Sequence, residues 1–120
     1  KNYGTNTQES VDYPDFIHPV AKDINENKSS KGIIICGSGN GAAMTANKYR
    51  NVRAAVCWEK ELSRLARLHG DANIISLPAR YISIKKSLEI IKIFLKTDFE
   101  GGRHQKRIEK IEPSWLSCCT

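Results

Sequence analysis

The sequence predicts an α/β fold with a parallel sheet. Three observations lead there: short runs of branched apolar residues, helical apolar stripes alternating with them, and a glycine cluster directly after the first run. Residues 1–11 are polar and aperiodic, which predicts irregular chain. Asp12 stands two residues before Pro14, the pattern of an N-cap with proline in the first turn. Phe16 or Ile17, then Val20 and Ile24, give a helix one apolar stripe through about Asn27. Gly32-Ile33-Ile34-Ile35-Cys36 reads as a strand buried on both faces, as parallel sheets require. A small-residue helix follows over Ala42 to Lys48, then a second strand over Arg53 to Cys57. Glu59 to Leu68 predicts a helix with Leu62, Leu65, Ala66 and Leu68 inward and Gly70 at C′. The third strand is Asn73 to Leu77. Ser83 caps a further helix with Ile84, Leu88, Ile91 and Leu95 as its stripe, and Gly101-Gly102 precedes a last helix from Arg103 to about Ile111.

The 120 residues fit one domain of about 100–150 residues. It divides into an irregular start (1–11), a core (12–111) and a tail (112–120). Hydrophobic residues make up 40% of the chain, too many for a disordered tail. No apolar run approaches the ~20 residues of a membrane span, so no membrane partner is expected. The opening Lys1-Asn2-Tyr3-Gly4-Thr5-Asn6 has no apolar core behind a basic start and does not read as a secretory signal. The expectation is a cytoplasmic protein whose cysteines, Cys118 and Cys119 among them, are reduced. The cysteines and histidines show no ligand spacing, so no metal is expected. The net charge of +6 favours phosphorylated partners without choosing among them. Lys85, Lys86, Lys92 and Lys96 are not interleaved with aromatics, so no nucleic acid is expected.

The strongest local motif is Cys36-Gly37-Ser38-Gly39-Asn40-Gly41 between a strand and a helix. Glycines there let backbone N–H groups crowd around a phosphate, a carboxylate or a developing oxyanion; a plain tight turn is the duller alternative. Gly37-x-Gly39-x-x-Ala42 with Glu59 also matches a loose dinucleotide fingerprint, although the chain is short for a second, substrate-binding half. A cysteine at a helix N-terminus is placed for thiolate chemistry, which favours Cys36; Cys57 reads as packing. His69 ends a helix, where a dipole partner or a catalyst both fit. Arg103 and Arg107 lie four apart on one helical face, able to fork onto a phosphate or simply to face solvent.

Taken in order, Asp12-Tyr13-Pro14-Asp15, residues 32–41, Ala46-Asn47-Lys48, Arg53-Ala54, residues 69–73, Ala79-Arg80 and residues 101–107 resemble the sugar-phosphate isomerase family of ribose-5-phosphate isomerase B and galactose-6-phosphate isomerase. The likeness covers about residues 10–111. It implies a Rossmann-like three-layer α/β/α sandwich, forming homodimers with shared active sites and in some cases tetramers. It further implies interconversion of an aldose phosphate and its ketose through an enediolate, without cofactor or metal. By position, Cys36 is the base moving a proton between C2 and C1, and Gly37, Ser38, Gly39, Asn40 and Gly41 hold the enediolate oxygen. The Ser38 hydroxyl, where the family usually has Thr, relays protons. His69 from the partner subunit donates a proton in ring opening. Arg80, Arg103 and Arg107 grip the phosphate, and Tyr13 lines the pocket.

There are departures. The family opens with a β-α-β unit whose first strand ends in Asp-His; neither is found here, and the expectation is a sequence truncated at its N-terminus, with apolar sheet edges left open. Gly70 replaces an Asn whose amide helps hold the enediolate. Pro78 stands where glycine is usual before Arg80, and residues 113–120 are unlike the usual tail. Two further readings accompany the ribose 5-phosphate one: an isomerase of a six-carbon sugar phosphate, and a non-catalytic sugar-phosphate-binding module.

Overall fold

Backbone pairing gathers three parallel strands, β1 (Gly32–Cys36), β2 (Ala54–Val56) and β3 (Ile74–Pro78), in the order β1-β3-β2. The structure is a computed structural model that describes residues 1–117. Cys118 and Cys119, expected as reduced thiols of the tail, lie outside the described residues. In register, Gly32 faces Ile74 and Cys36 faces Pro78, while Ala54 faces Ile74 on the other side. The helices are α1 (Pro14–Asn25), α2 (Asn40–Ala46), α3 (Lys60–Leu68), α4 (Ile84–Lys96), α5 (Arg103–Glu109) and α6 (Ser114–Ser117).

Side-chain alternation along β3 divides the core. Ile74 joins Ile17, Ala21, Ile24, Ile34, Ala42 and Ala46 beneath α1 and α2. Ile75 and Leu77 join Cys57, Ile90 and Phe94 on the other face, beneath α3 and α4. Helices therefore cover both faces of a parallel sheet, the three-layer α/β/α sandwich expected. β3, central and paired on both edges, is buried at every position.

Five local expectations are corrected. Tyr13, not Asp12, occupies the cap of α1; its backbone is already helical, and Asp12 contributes only its carbonyl, which accepts from Asp15 N–H at 3.1 Å. β1 is not buried on both faces: it is an edge strand, with Ile33 37% and Ile35 59% exposed. α3 buries Ser63 and Arg67 most deeply, with the leucines only partly covered. The left-handed turn after α3 falls on Asp71 (φ 46°), not Gly70. On α4, Ile90 and Phe94 form the buried face, whereas Ile84, Leu88 and Leu95 are exposed. Strand ends also shift, β3 running one residue later than its apolar run.

Candidate active site

In parallel sheets the chain turns into its helices at the carboxyl ends of the strands, and there β1 delivers Cys36, half-buried, into the glycine loop. Gly39 takes φ +81°, a left-handed backbone that L side chains rarely adopt. Its carbonyl accepts from the buried Ser76 hydroxyl at 2.7 Å and from Ala43 N–H at 3.2 Å, which fixes the loop to β3 and to α2. Asn40 N–H donates to Ser38 Oγ at 3.3 Å. Among the described residues the N–H groups of Ser38, Gly39 and Gly41 donate to no other group. These donors can receive an oxyanion.

The chain leaving β3 folds over this loop. Ala79 N–H donates to Cys36 O at 2.9 Å and Arg80 N–H to Gly37 O at 3.0 Å. These bonds lay the Arg80 side chain across Gly37, where a Cβ would stand 3.1 Å from Arg80 Nε. Pro78 keeps its register with Cys36, so proline leaves Arg80 beside the loop. From the other side the Tyr13 ring closes on Gly41 so tightly that a Cβ there would overlap its hydroxyl. Tyr13, Cys36, the loop of residues 37–41 and Arg80 thus meet in one place.

The remaining expected residues do not join them within the chain. His69 and Gly70 precede β3, at the amino end of the sheet, where Asn73 O accepts from Gly32 N–H at 2.8 Å. α4 runs back to the same end, and Glu100 N–H donates to Leu68 O at 3.1 Å. There the His69 and His104 rings stack, centroids 4.2 Å apart and planes within 13°. Burial, together with the charges of His69 and Arg103, holds the His104 imidazole below its ordinary pKa, against the opposing pull of Glu100. Arg103 and Arg107, both exposed, begin α5 beside this pair. A five-residue strand spans roughly 13–17 Å, so the two clusters lie a sheet's length apart.

Charge pairing separates the arginines into two sets. Arg50, Arg53, Arg64 and Arg67 each meet a carboxylate, of Glu112, Asp71, Glu61 and Asp71 respectively. Arg80, Arg103 and Arg107 meet none among the described residues. Those three are the arginines expected to bind phosphate. Glu59, the acid of the dinucleotide alternative, is instead taken by Lys86 at 2.5 Å.

Residues 1–111 match the family model of the ribose/galactose isomerases. The chain belongs to that family. Among ribose/galactose isomerase relatives, a probable ribose-5-phosphate isomerase B of Mycoplasma genitalium is 45% identical over 83% of this chain and 66% of its own length. The ribose-5-phosphate isomerase B of Escherichia coli is 37% identical over 90% of this chain and 72% of its own. The solved ribose-5-phosphate isomerase B of Clostridium thermocellum superposes with a TM-score of 0.92 at 41% identity, over 97% of this chain and 78% of that one. That of Mycoplasma genitalium, solved with bound ribulose-5-phosphate, gives 0.86 at 43% identity, over 90% and 72%. The chain therefore spans about two thirds of the length of the first curated relatives it matches.

Within this ribose/galactose isomerase fold, sequence reasoning missed three residues that the structure sets against the expected ones. Ser76 sits inside an apolar strand, and only its bond to Gly39 reveals that it holds the loop. Glu100 and His104 flank the double glycine, and His69 reaches them only through the return of α4. The i, i+4 spacing of Glu100 and His104 was the one available signal.

Proposed function

We propose that this chain is an aldose–ketose isomerase domain interconverting ribose 5-phosphate and ribulose 5-phosphate through an enediolate. Abstracting a proton beside a carbonyl needs a base within reach and fixed donors for the oxygen that becomes anionic. Cys36 is that base, moving the proton between C2 and C1. In the loop of residues 37–41 the free N–H groups of Ser38, Gly39 and Gly41 hold the enediolate oxygen, and the Ser38 hydroxyl relays protons between sugar oxygens. The observation that carries this reading is the meeting of Cys36, the glycine loop with its uncommitted N–H donors, and Arg80 at the strand ends. The likeness to a structure holding ribulose-5-phosphate supports the choice of a pentose phosphate.

The division of the site supports a homodimer. A sugar phosphate bound at Cys36 cannot touch Arg103 and Arg107 of the same chain, a sheet's length away. A second copy in the reversed orientation brings its His69, Arg103 and Arg107 to the first copy's Cys36, so that His69 opens the ring and the arginines complete the phosphate clamp with Arg80. Tyr13 lines the pocket; tetramers are further pairings of such dimers. Among the described residues no helix is long and apolar enough to cross a membrane, and a cytoplasmic metabolic role fits the family.

The test is turnover of ribose 5-phosphate. Cys36→Ala is expected to lower it by about 10²–10⁴-fold, the usual contribution of a positioned base, with an unchanged circular dichroism spectrum. Turnover at the parent rate removes Cys36 from the reaction. Gly70, lacking the amide expected at its position, favours a second reading: a module that binds the sugar phosphate without converting it. Saturable binding with no turnover in the parent chain selects that reading. Faster turnover of galactose 6-phosphate selects the six-carbon substrate.

A further inference from the structure

We infer that Ser76 is a positioning residue of the glycine loop, acting through the peptide between Gly39 and Asn40 to aim the Ser38 hydroxyl. This rests on the proposed isomerase reading, in which that hydroxyl relays protons. Ser76 lies in the middle of β3 at 0% exposure, where an alanine or a valine would serve the sheet as well. A hydroxyl withdrawn from water is destabilising unless it is bonded, and its partner here is Gly39 O at 2.7 Å. That carbonyl is already satisfied without it. Ala43 N–H donates to Gly39 O at 3.2 Å, as the first turn of α2 requires. What the second donor adds is direction.

A trans peptide sets its C=O and N–H antiparallel, and no peptide bond among the described residues is cis. With Gly39 O drawn into the fold, Asn40 N–H is turned outward, where it donates to Ser38 Oγ at 3.3 Å. Gly39 is buried while Ser38 and Asn40 are exposed, so one peptide plane links the interior to the open side of the loop. Accepting from Asn40 occupies one lone pair of Ser38 Oγ and leaves its proton free to donate to a sugar oxygen. Gly39 has little room to move: a Cβ there would meet Val56 Cγ1 at 3.2 Å, and Pro78 N and Ser76 Oγ at 3.3 Å. Pro78 brings no N–H to this contact, which leaves the Ser76 hydroxyl as the donor that β3 turns to Gly39. Bonds in such a chain polarise one another, so losing the first weakens the second.

Ser63 supplies the comparison. It is equally buried and donates to a backbone carbonyl, Ile90 O, at 2.9 Å, joining α3 to α4 and not to the loop. Removing its hydroxyl deletes the same kind of bond and leaves the loop untouched.

The experiment measures ribose 5-phosphate turnover by the full chain, by Ser76→Ala, Ser63→Ala and Ser38→Ala, and by the double variant of Ser38 and Ser76. Ser76→Ala should lower kcat about tenfold with KM within about twofold, because a misaimed group costs rate and not ground-state binding. Ser63→Ala should keep the parent kcat. In the Ser38→Ala background the Ser76→Ala step should shrink to about twofold or less, since both changes then break one chain of bonds. An unchanged kcat in Ser76→Ala, an equal fall in Ser63→Ala, or the same factor in both backgrounds overturns the assignment. Should Ser76→Ala not fold, Ser76→Cys, whose thiol donates weakly, takes its place. If the parent chain leaves ribose 5-phosphate unconverted, the isomerase reading fails by itself and the Asn40 amide still decides on Ser76. Its exchange with solvent, read by NMR, should quicken about threefold or more in Ser76→Ala and in Ser38→Ala, and stay at the parent rate in Ser63→Ala. An Asn40 rate unmoved in Ser76→Ala overturns the inference.

Discussion

Cys36 and Cys57 each close an apolar run, yet the fold gives them opposite surroundings. Cys36 is half-buried at a loop; Cys57 is 1% exposed, packed with Leu77 and Phe94. Burial pushes the Cys57 thiol up to about 11. In the unfolded chain the same thiol titrates near 8.5, so between those values the unfolded state releases a proton that the folded state keeps. Stability contributed by the neutral buried thiol is thus complete below that window and is lost as the pH rises through it. Urea midpoints measured from pH 7 to pH 11 should fall across this range, with a shallower fall in Cys57→Ala. The sequence distinguished the two thiols because one is followed by glycines and the other by Trp58 and Glu59. It was silent on Ser76, whose role depends on a residue thirty-seven positions away.

At the scale of elements, hydropathy located the helices better than it oriented them. α4 carries two apolar stripes, one through Ile84, Leu88, Ile91 and Leu95 and one through Ile90 and Phe94. Periodicity cannot choose between them; the packing of α3 and β3 chooses the second. α3 departs further, because a charged residue is its most useful inward group. Arg67 donates to Thr97 O at 2.9 Å, Ala72 O at 2.6 Å and Asp71 Oδ1 at 2.9 Å, fastening the helix to the turn before β3 and to the chain leaving α4. A scale that scores arginine as polar must place it outside. Arg67→Ala strips the carbonyls of Ala72 and Thr97 of a donor and leaves Asp71 with Arg53 alone, and should cost about 2–3 kcal/mol, read as a lower urea midpoint with an unchanged slope. The glycine loop, by contrast, was legible, because a run of Gly-x-Gly-x-Gly between strand and helix is a purely local signal.

For the whole molecule, the sheet ends in an open edge. Among the described residues β1 pairs only with β3, and along its free side runs a groove of about 440 Å³ lined by Phe16, Val20, Ile33, Ile35 and Leu95, with Lys1–Gly4 beside it. Tyr3 holds that segment through a 2.5 Å bond to Asp23. Three isoleucines in a row read locally as a strand covered on both faces; the open apolar edge was expected only from the family's opening β-α-β unit not being found in the sequence. An apolar strand edge of this kind recruits other chains. The chain should therefore self-associate with rising concentration in light scattering, and Ile35→Lys, on the exposed face, should suppress this without lowering the thermal midpoint.

The distance between Cys36 and His69 within one chain also permits a genetic kind of test. If each site borrows across the subunit boundary, a Cys36→Ala chain and a His69→Ala chain are both dead alone, yet complement each other when co-refolded. Each hybrid pair concentrates both lesions in one pocket and leaves its other pocket intact. Random mixing in equal amounts makes about half the pairs hybrid and returns about a quarter of the parent activity. Two inactive preparations would thus yield an active one, an outcome closed to any enzyme whose pocket lies within a single chain.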